Sequence, residues 1–353
     1  MIGVGLIGFG LAGRAFHAPV IRAVPGLRLA AIVQRTGRQA AERYPDVPLL
    51  HSVDELLARD DVQLVVVATP NATHYQLARQ ALEAGKNVLV DKPFTPTIEE
   101  AIALVRLAKE RGRLLTVYQN RRYDGDFQTI RNLVGTGRLG RVVRFETSYD
   151  RYRPKLKPDG VWRERVGPGS GLFFDLAPHL VDHALLLFGL PEAVTADIRI
   201  EREQAVVDDA FDVMLHYPRG LRAVLRSTML AAAIRPRFVL QGTAGAFIKR
   251  TFDPQEDNLR HDRTPVSGAW GPEPEENWGI LTRVEGGEPR QTRVAPVACD
   301  YRDYYANLRD ALLGHAEPAV SPEWALDVMQ VMMLARESSE THTTVSWRAP
   351  LCP

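Results

Sequence analysis

Three side chains in this sequence have types and settings suited to proton chemistry: Lys92, Asp175 and His179. Lys92 lies in Asp91-Lys92-Pro93, directly after an apolar stretch, 87–90, that reads as a strand. A lysine partly withdrawn from water can have its pKa lowered toward neutrality, which suits it to proton transfer. The plainer reading is a phosphate or backbone contact. The other two lie in Phe173-Phe174-Asp175-Leu176-Ala177-Pro178-His179-Leu180-Val181-Asp182-His183. On a helix, Asp175, His179 and His183 share one face, about 6 Å apart along the axis. That spacing also suits metal ligands. Pro178 counts against an unbroken helix, which is expected to begin near Pro178 or to kink there. Asp175 and His179 are therefore read as an acid–base pair and His183 as a packed or exposed helix residue, and no metal is assigned.

The elements that must hold these groups can be read along the chain. The first third alternates strand and helix, with strands at 4–7, 27–33, 64–68, 87–90 and 114–118 and helical spacing at 75–83 and 97–111. Apolar runs without alternation, such as Leu64-Val65-Val66-Val67-Ala68, suit strands covered on both faces, so a parallel sheet is expected over 1–120. After Asn120 a helix at 126–133 is followed by alternating strands at 142–149, 193–200, 211–217, 221–229, 238–241 and 246–249. The region 121–353 therefore reads as an α/β domain with a large, open, mostly antiparallel sheet. The stretch 252–278, rich in Pro, Gly and acidic residues, is expected to be a long irregular loop, and such loops are usually functional or disordered. Helices at 301–313 and 322–339 and a short strand near Val345 close the chain.

Gly8-Phe9-Gly10-Leu11-Ala12-Gly13 matches G-x-G-x-x-G between the first strand and the first helix. In such a loop the first glycine permits the turn, the second admits a pyrophosphate and the third lets helix and strand pack closely. An NAD enzyme places an acid about 20 residues on, at the ribose. Here the second strand ends Val33-Gln34-Arg35-Thr36, and no acid occurs before Glu42. Arg35, with Thr36 and Arg38, can instead face a 2′-phosphate, so NADP is expected, with NAD possible. Thr69-Pro70-Asn71 falls at the carboxyl edge of the sheet, where a cofactor lies. His74 is counted with it, although it more simply caps or lines the helix start. A lysine held beside a nicotinamide, with Asp175 and His179 downstream, implies hydride transfer to or from a secondary alcohol.

The bulk properties narrow the class. At 353 residues the chain suggests two domains. A net charge of +1 gives no sign of a nucleic-acid or anionic-membrane partner. Two cysteines, Cys299 and Cys352, exclude a disulfide scaffold and suit a reducing cytoplasm. No apolar run is judged long enough to span a membrane, and no signal peptide is apparent.

The glycine loop, Asp91-Lys92-Pro93, and Asp175 with His179 resemble the Gfo/Idh/MocA oxidoreductase family across nearly the whole chain. The closest resemblance within it is to the NADP-dependent scyllo-inositol dehydrogenase group. Phe16-His17, 118–124, 149–154, Trp162-Arg163-Glu164, 255–257 and Leu259-Arg260 carry that closer match. The resemblance implies a Rossmann domain followed by an α/β domain whose sheet builds homodimers or homotetramers. It implies that Lys92, Asp175 and His179 are the catalytic triad, with Asp91 and Asn120 at the cofactor and a cis bond before Pro93. Asp91 replaces the family's usual Glu, and Pro178 a small residue. Asn120, Arg122, Tyr152 and Arg153, beside the triad, are the candidates to bind the hydroxyls of a polyol or sugar. Other readings are a different NADP-dependent sugar or polyol reductase, an NAD-dependent glycosidase, a non-catalytic NADP-binding regulator and, last, a metal enzyme using Asp175, His179 and His183.

Overall fold

The computed structural model describes residues 1–157, 161–265 and 273–350. The chain forms two compact units: Met1–Asn120 with Pro254–Gly271 and Asp300–Leu326, and Arg121–Asp253 with Pro272–Cys299 and Asp327–Pro353. The first unit thus takes in two later segments that the sequence alone assigns to the second domain.

The first unit is built on a six-stranded, all-parallel sheet: β1 (Ile2–Ile7), β2 (Leu27–Val33), β3 (Leu49–Leu50), β4 (Leu64–Val67), β5 (Asn87–Asp91) and β6 (Leu115–Tyr118), ordered β3-β2-β1-β4-β5-β6. Helices α1 (Ala18–Ala23), α2 (Gln39–Arg43), α3 (Val53–Leu57), α4 (His74–Glu83) and α5 (Ile98–Arg111) connect the strands. Every residue of β1 and β4 is buried, as a strand covered on both faces requires. The strand order reverses between β1 and β4, the switch point at which ligands bind in open α/β sheets. Strand β3 escapes sequence reading because two residues carry no periodicity. Asp91-Lys92-Pro93 consequently closes the fifth strand.

The second unit carries a nine-stranded mixed sheet. Its strands are β7 (Val142–Ser148), β8 (Ala193–Arg199), β9 (Ala210–His216), β10 (Arg222–Thr228), β11 (Phe238–Gly242), β12 (Gly245–Lys249), β13 (Gly279–Glu285), β14 (Glu288–Val294) and β15 (Val345–Ser346), in the order β14-β13-β12-β11-β7-β10-β9-β8-β15. Among these described neighbours only β7 and β10 run parallel. Helix α6 (Gly125–Gly135) precedes the sheet, and α7 (Gly171–Phe188) packs on β7, β9 and β10. Rings interlock at that contact, Phe173 edge-on to Phe211 at 5.4 Å and Phe188 edge-on to Phe145 at 5.6 Å. The remaining helices are α8 (Gln255–Arg260), α9 (Tyr301–Leu312) and α10 (Pro322–Thr341).

Four expectations change. Helix α7 starts seven residues before Pro178, which sits inside it, so Asp175, His179 and His183 share one helix after all. Its start is secured from elsewhere in the unit: the Asp208 carboxylate accepts from Phe173 N at 2.7 Å, and its carbonyl from Leu172 N. At 18 residues α7 is also long and apolar enough to cross a membrane, contrary to the reading of the sequence; 78% of it is buried inside the protein. The stretch 252–278 contains α8 and a turn of 3₁₀ helix at Glu275–Asn277, and its residues 266–272 lie outside the described ones. Strands β13 and β14 were missed because β14, Glu-Pro-Arg-Gln-Thr-Arg-Val, is an almost wholly exposed polar edge strand without a hydrophobic period. Cys352 also lies outside the described residues.

Candidate active site

In the first unit the glycine loop is shaped as its sequence demands. Gly8 has φ +101°, and a Cβ there would meet the Ala68 carbonyl oxygen at 2.4 Å. A Cβ on Gly13 would meet the Gly8 carbonyl oxygen at 2.1 Å. Gly10 differs: nothing lies within 4 Å of its Cβ position, so the backbone there is open to a phosphate. Phe9 packs edge-on against Tyr44 at 6.1 Å. A π-helical segment, Ala12–His17, opens the following helix, and Leu11 is partly exposed at its start. These features fit a dinucleotide pyrophosphate, for which Gly8, Gly10 and Gly13 supply approach and close packing.

At the end of β2, Arg35, Thr36 and Arg38 are exposed. Gln34 shapes this loop by donating to Thr36 O at 3.0 Å and accepting from Ala40 N at 2.9 Å. Of the stretch 252–278, helix α8 lies against the glycine-loop helix within the same unit. Asp262 pairs with Arg43 at 2.9 Å and Arg14 at 3.5 Å, and the Arg260 guanidinium lies 5.9 Å from the Phe16 ring centre.

Lys92 is partly buried and joined to Pro93 by a cis peptide. Its own N–H donates to Asp91 Oδ1 at 2.8 Å. Asp91 has a basic and aromatic backing that sequence reading did not foresee. His17 Nε2 lies 3.8 Å from Asp91 Oδ2, and His17 Nδ1 lies 2.6 Å from the Tyr305 hydroxyl. Tyr118 covers the His17 ring at 4.4 Å and is packed by Tyr304 and Tyr305. Burial pushes the Asp91 carboxyl up, but His17, Lys92 and His74 together hold it below its ordinary value. Burial drives the Tyr305 hydroxyl well above its usual range, so it stays protonated. Thr69 donates to Thr73, which donates to Pro70 O at 2.7 Å. Asn71 and His74 are buried beside this turn.

In the second unit, α7 presents Asp175 and His179 one turn apart. The Asp175 side chain is 18% exposed, and His179 is buried. Two arginines also attend Asp175: Arg163 Nε at 3.2 Å and Arg151 Nη1 at 3.8 Å. Trp162-Arg163-Glu164 stands in the sequence, but no spacing ties it to Asp175.

His183, one turn further on, is fully buried. It stacks on Phe127 at 3.9 Å and directs Nε2 at Arg121 O at 3.1 Å. Burial pushes its pKa well down, with Arg237 adding to the effect. No cluster of potential metal ligands occurs among the described residues, and of the two settings open to His183, packed or exposed, the structure shows the packed one.

Arg122, expected at substrate hydroxyls, sends Nε and Nη2 to both oxygens of Asp182 at 2.8 and 2.6 Å, all deeply buried. This fork ties the segment before α6 to α7, which recasts Arg122 as an anchor of the helix carrying His179. Tyr152 is 58% exposed and bridges to Leu230, and Arg153 is exposed. Asn120 is buried at the end of the first unit's leading segment, Met1–Asn120.

A parallel sheet with a glycine loop at its switch point defines a dinucleotide-binding protein of the Rossmann class. Residues 2–119 match the model of the oxidoreductase family with an NAD-binding Rossmann fold, and residues 127–248 match the Gfo/Idh/MocA C-terminal domain. The chain belongs to the Gfo/Idh/MocA oxidoreductase family. It is 43% identical to the uncharacterized oxidoreductase YdgJ of Escherichia coli, over 98% of both chains. It is 35% identical to the scyllo-inositol 2-dehydrogenase (NADP(+)) IolW of Bacillus subtilis, over 98% of this chain and 95% of that one. A crystal structure of an oxidoreductase from Bacillus cereus superposes with a TM-score of 0.90 at 32% identity, over 99% of both chains.

Proposed function

We propose that this protein is an NADP-dependent dehydrogenase that interconverts a secondary hydroxyl and a ketone on a cyclic polyol or sugar, with scyllo-inositol the first candidate. The observation that carries this reading is the pair of chemical settings on a Gfo/Idh/MocA frame: Lys92 beside Asp91 at the end of β5, and Asp175 one turn before His179 on α7. The NADP-linked relative IolW supports the choice of cofactor and substrate. Exposed Arg35 and Thr36, with no acid at the end of β2, support recognition of a 2′-phosphate.

The nicotinamide, when bound, accepts or returns the hydride. His179 takes the hydroxyl proton in the oxidative direction and returns it in reduction. Lys92 donates a hydrogen bond to the reacting oxygen and lowers the cost of its developing negative charge. Asp175 orients the arginines and His179 on its side of the chemistry. Asn120, Tyr152 and Arg153 remain the proposed polyol contacts. We further propose a cytoplasmic homodimer or homotetramer built through the open face of the nine-stranded sheet.

Lys92→Met tests the assignment. Turnover should fall at least a thousandfold while NADP affinity changes less than threefold. A variant that oxidises scyllo-inositol at the wild-type rate refutes the role of Lys92. A wild-type protein that binds NADP and turns over no polyol or sugar would favour a non-catalytic regulator.

A further inference from the structure

His74 opens α4, just past the turn that leaves β4, and its ring is wholly buried. Nδ1 lies 2.8 Å from the Pro93 carbonyl oxygen, and Nε2 lies 2.9 Å from the Thr69 carbonyl oxygen. Both partners are acceptors only. A neutral imidazole has one N–H and one lone pair. A neutral ring in this position would therefore press a lone pair against a carbonyl oxygen at hydrogen-bond distance. Only a doubly protonated ring satisfies both carbonyls.

A second proton brings a charge, and a buried charge needs a counter-charge nearby. Burial outweighs the influences opposing it, Asp91 first and the backbone carbonyls next, and sets the His74 pKa below its ordinary value, in conflict with the two acceptor-only contacts, whose geometry decides the charge. Asp91 in turn faces three basic groups, His17, Lys92 and His74, and is held below its ordinary value despite burial. His17 sets Nδ1 against the Tyr305 hydroxyl and Nε2 3.8 Å from Asp91 Oδ2. The Asp91 charge is shared among His17, Lys92 and His74.

We propose that His74 is held as an imidazolium that ties the end of β4 to the residue following Lys92, making His74 a positioning residue for that lysine. The two tied carbonyls belong to Thr69 and Pro93, so one side chain sets the spacing of the two loops that leave β4 and β5. The charge on His74 follows from local geometry alone. Its consequence for turnover rests on the reading of Lys92 given above.

The test is nitrogen-15 NMR of histidine-labelled, full-length protein near pH 7.5, without substrate. One histidine should show protons on both ring nitrogens, and its signals should vanish in His74→Gln. A His74 ring with one bare nitrogen at that pH overturns the proposal. Should His74→Gln not fold, Asp91→Asn serves instead: the doubly protonated ring should lose its second proton at a pH at least one unit lower, a tenfold loss of proton affinity. An unchanged titration overturns the counter-charge. In turnover, His74→Gln should lower kcat at least tenfold, shift NADP affinity less than threefold, and remove the fall of kcat with rising pH that loss of the His74 proton causes. A wild-type kcat and pH profile overturn the positioning role. If Lys92→Met also retained full activity, the proposed function would fail while the charge of His74 would still be decided by the spectrum.

Discussion

Asp126 lies in the first turn of α6, 2% exposed, with neither carboxylate oxygen hydrogen-bonded among the described residues. Burial raises its pKa from 3.8 to about 7; Asp124 and Glu273 add to the rise, and Arg237 and Lys249 oppose it. The native protein therefore holds a proton on Asp126 that the unfolded chain has already released between about pH 4 and 7. Stability must fall as pH rises through that window, and above it the buried site carries the charge. A shift of this size corresponds to about 4 kcal/mol in full. Between pH 5 and 8.5 the linkage relation places about 3 kcal/mol of it.

Asp126→Asn keeps the shape and removes the titration. Urea unfolding of the protein and the variant at pH 5, 7 and 8.5 isolates the effect of Asp126 and its immediate charged neighbours, because remote groups titrate alike in both. The variant should lie close to wild type at pH 5 and gain steadily on it, becoming the more stable by roughly 1–3 kcal/mol at pH 8.5. Parallel pH dependences for the two proteins would refute the reasoning, since they would mean that Asp126 is ionised in both states throughout.

Other consequences follow from the same atoms. Asp182→Ala leaves the buried Arg122 guanidinium without the carboxylate that receives two of its nitrogens, and should cost about 3–5 kcal/mol; adding Arg122→Met should recover part of that loss, as thermal unfolding of the single and double variants would reveal. Arg35→Ala should raise KM for NADP about tenfold or more while leaving KM for NAD within about twofold, because a charge-assisted contact to phosphate is worth about 1.5–3 kcal/mol. Equal effects on both cofactors would place the 2′-phosphate elsewhere.

The features most legible in the sequence were those with a strong local cause. Unbroken apolar strands such as 64–67 and the glycine loop specify their own geometry, and Asp91-Lys92-Pro93 follows a strand that could be read as one. The pattern failed where a distant residue decides the outcome. Pro178 argues locally for a helix start, but Asp208, some 30 residues on in the chain, secures an N-terminus seven residues earlier. The packing of α7 on β9 and β10 then carries the helix through the missing donor. The partners of the site residues were hidden for the same reason. Tyr305 reaches His17 across 288 positions, and Asp182 reaches Arg122 across 60. No periodicity reports such pairings.

The arrangement around α7 separates anchoring from chemistry by burial. Asp182 and Arg122 are nearly sealed from water, so breaking their pair would strand a charge and hold a high cost. Asp175 faces Arg163, whose side chain is 41% exposed, and an ion pair in such a setting contributes about 0–1 kcal/mol. The first pair therefore fixes the helix, while the second can exchange a partner at little cost. On the proposed function, Arg163, in the turn Trp162–Glu164 beside α7, is then the group most readily transferred from Asp175 to an incoming hydroxyl. Arg163→Lys keeps the charge but loses the planar fork. It should raise KM for the polyol more than it lowers kcat, while leaving thermal stability nearly unchanged. A loss of stability comparable to that of Asp182→Ala would instead place Arg163 among the anchors.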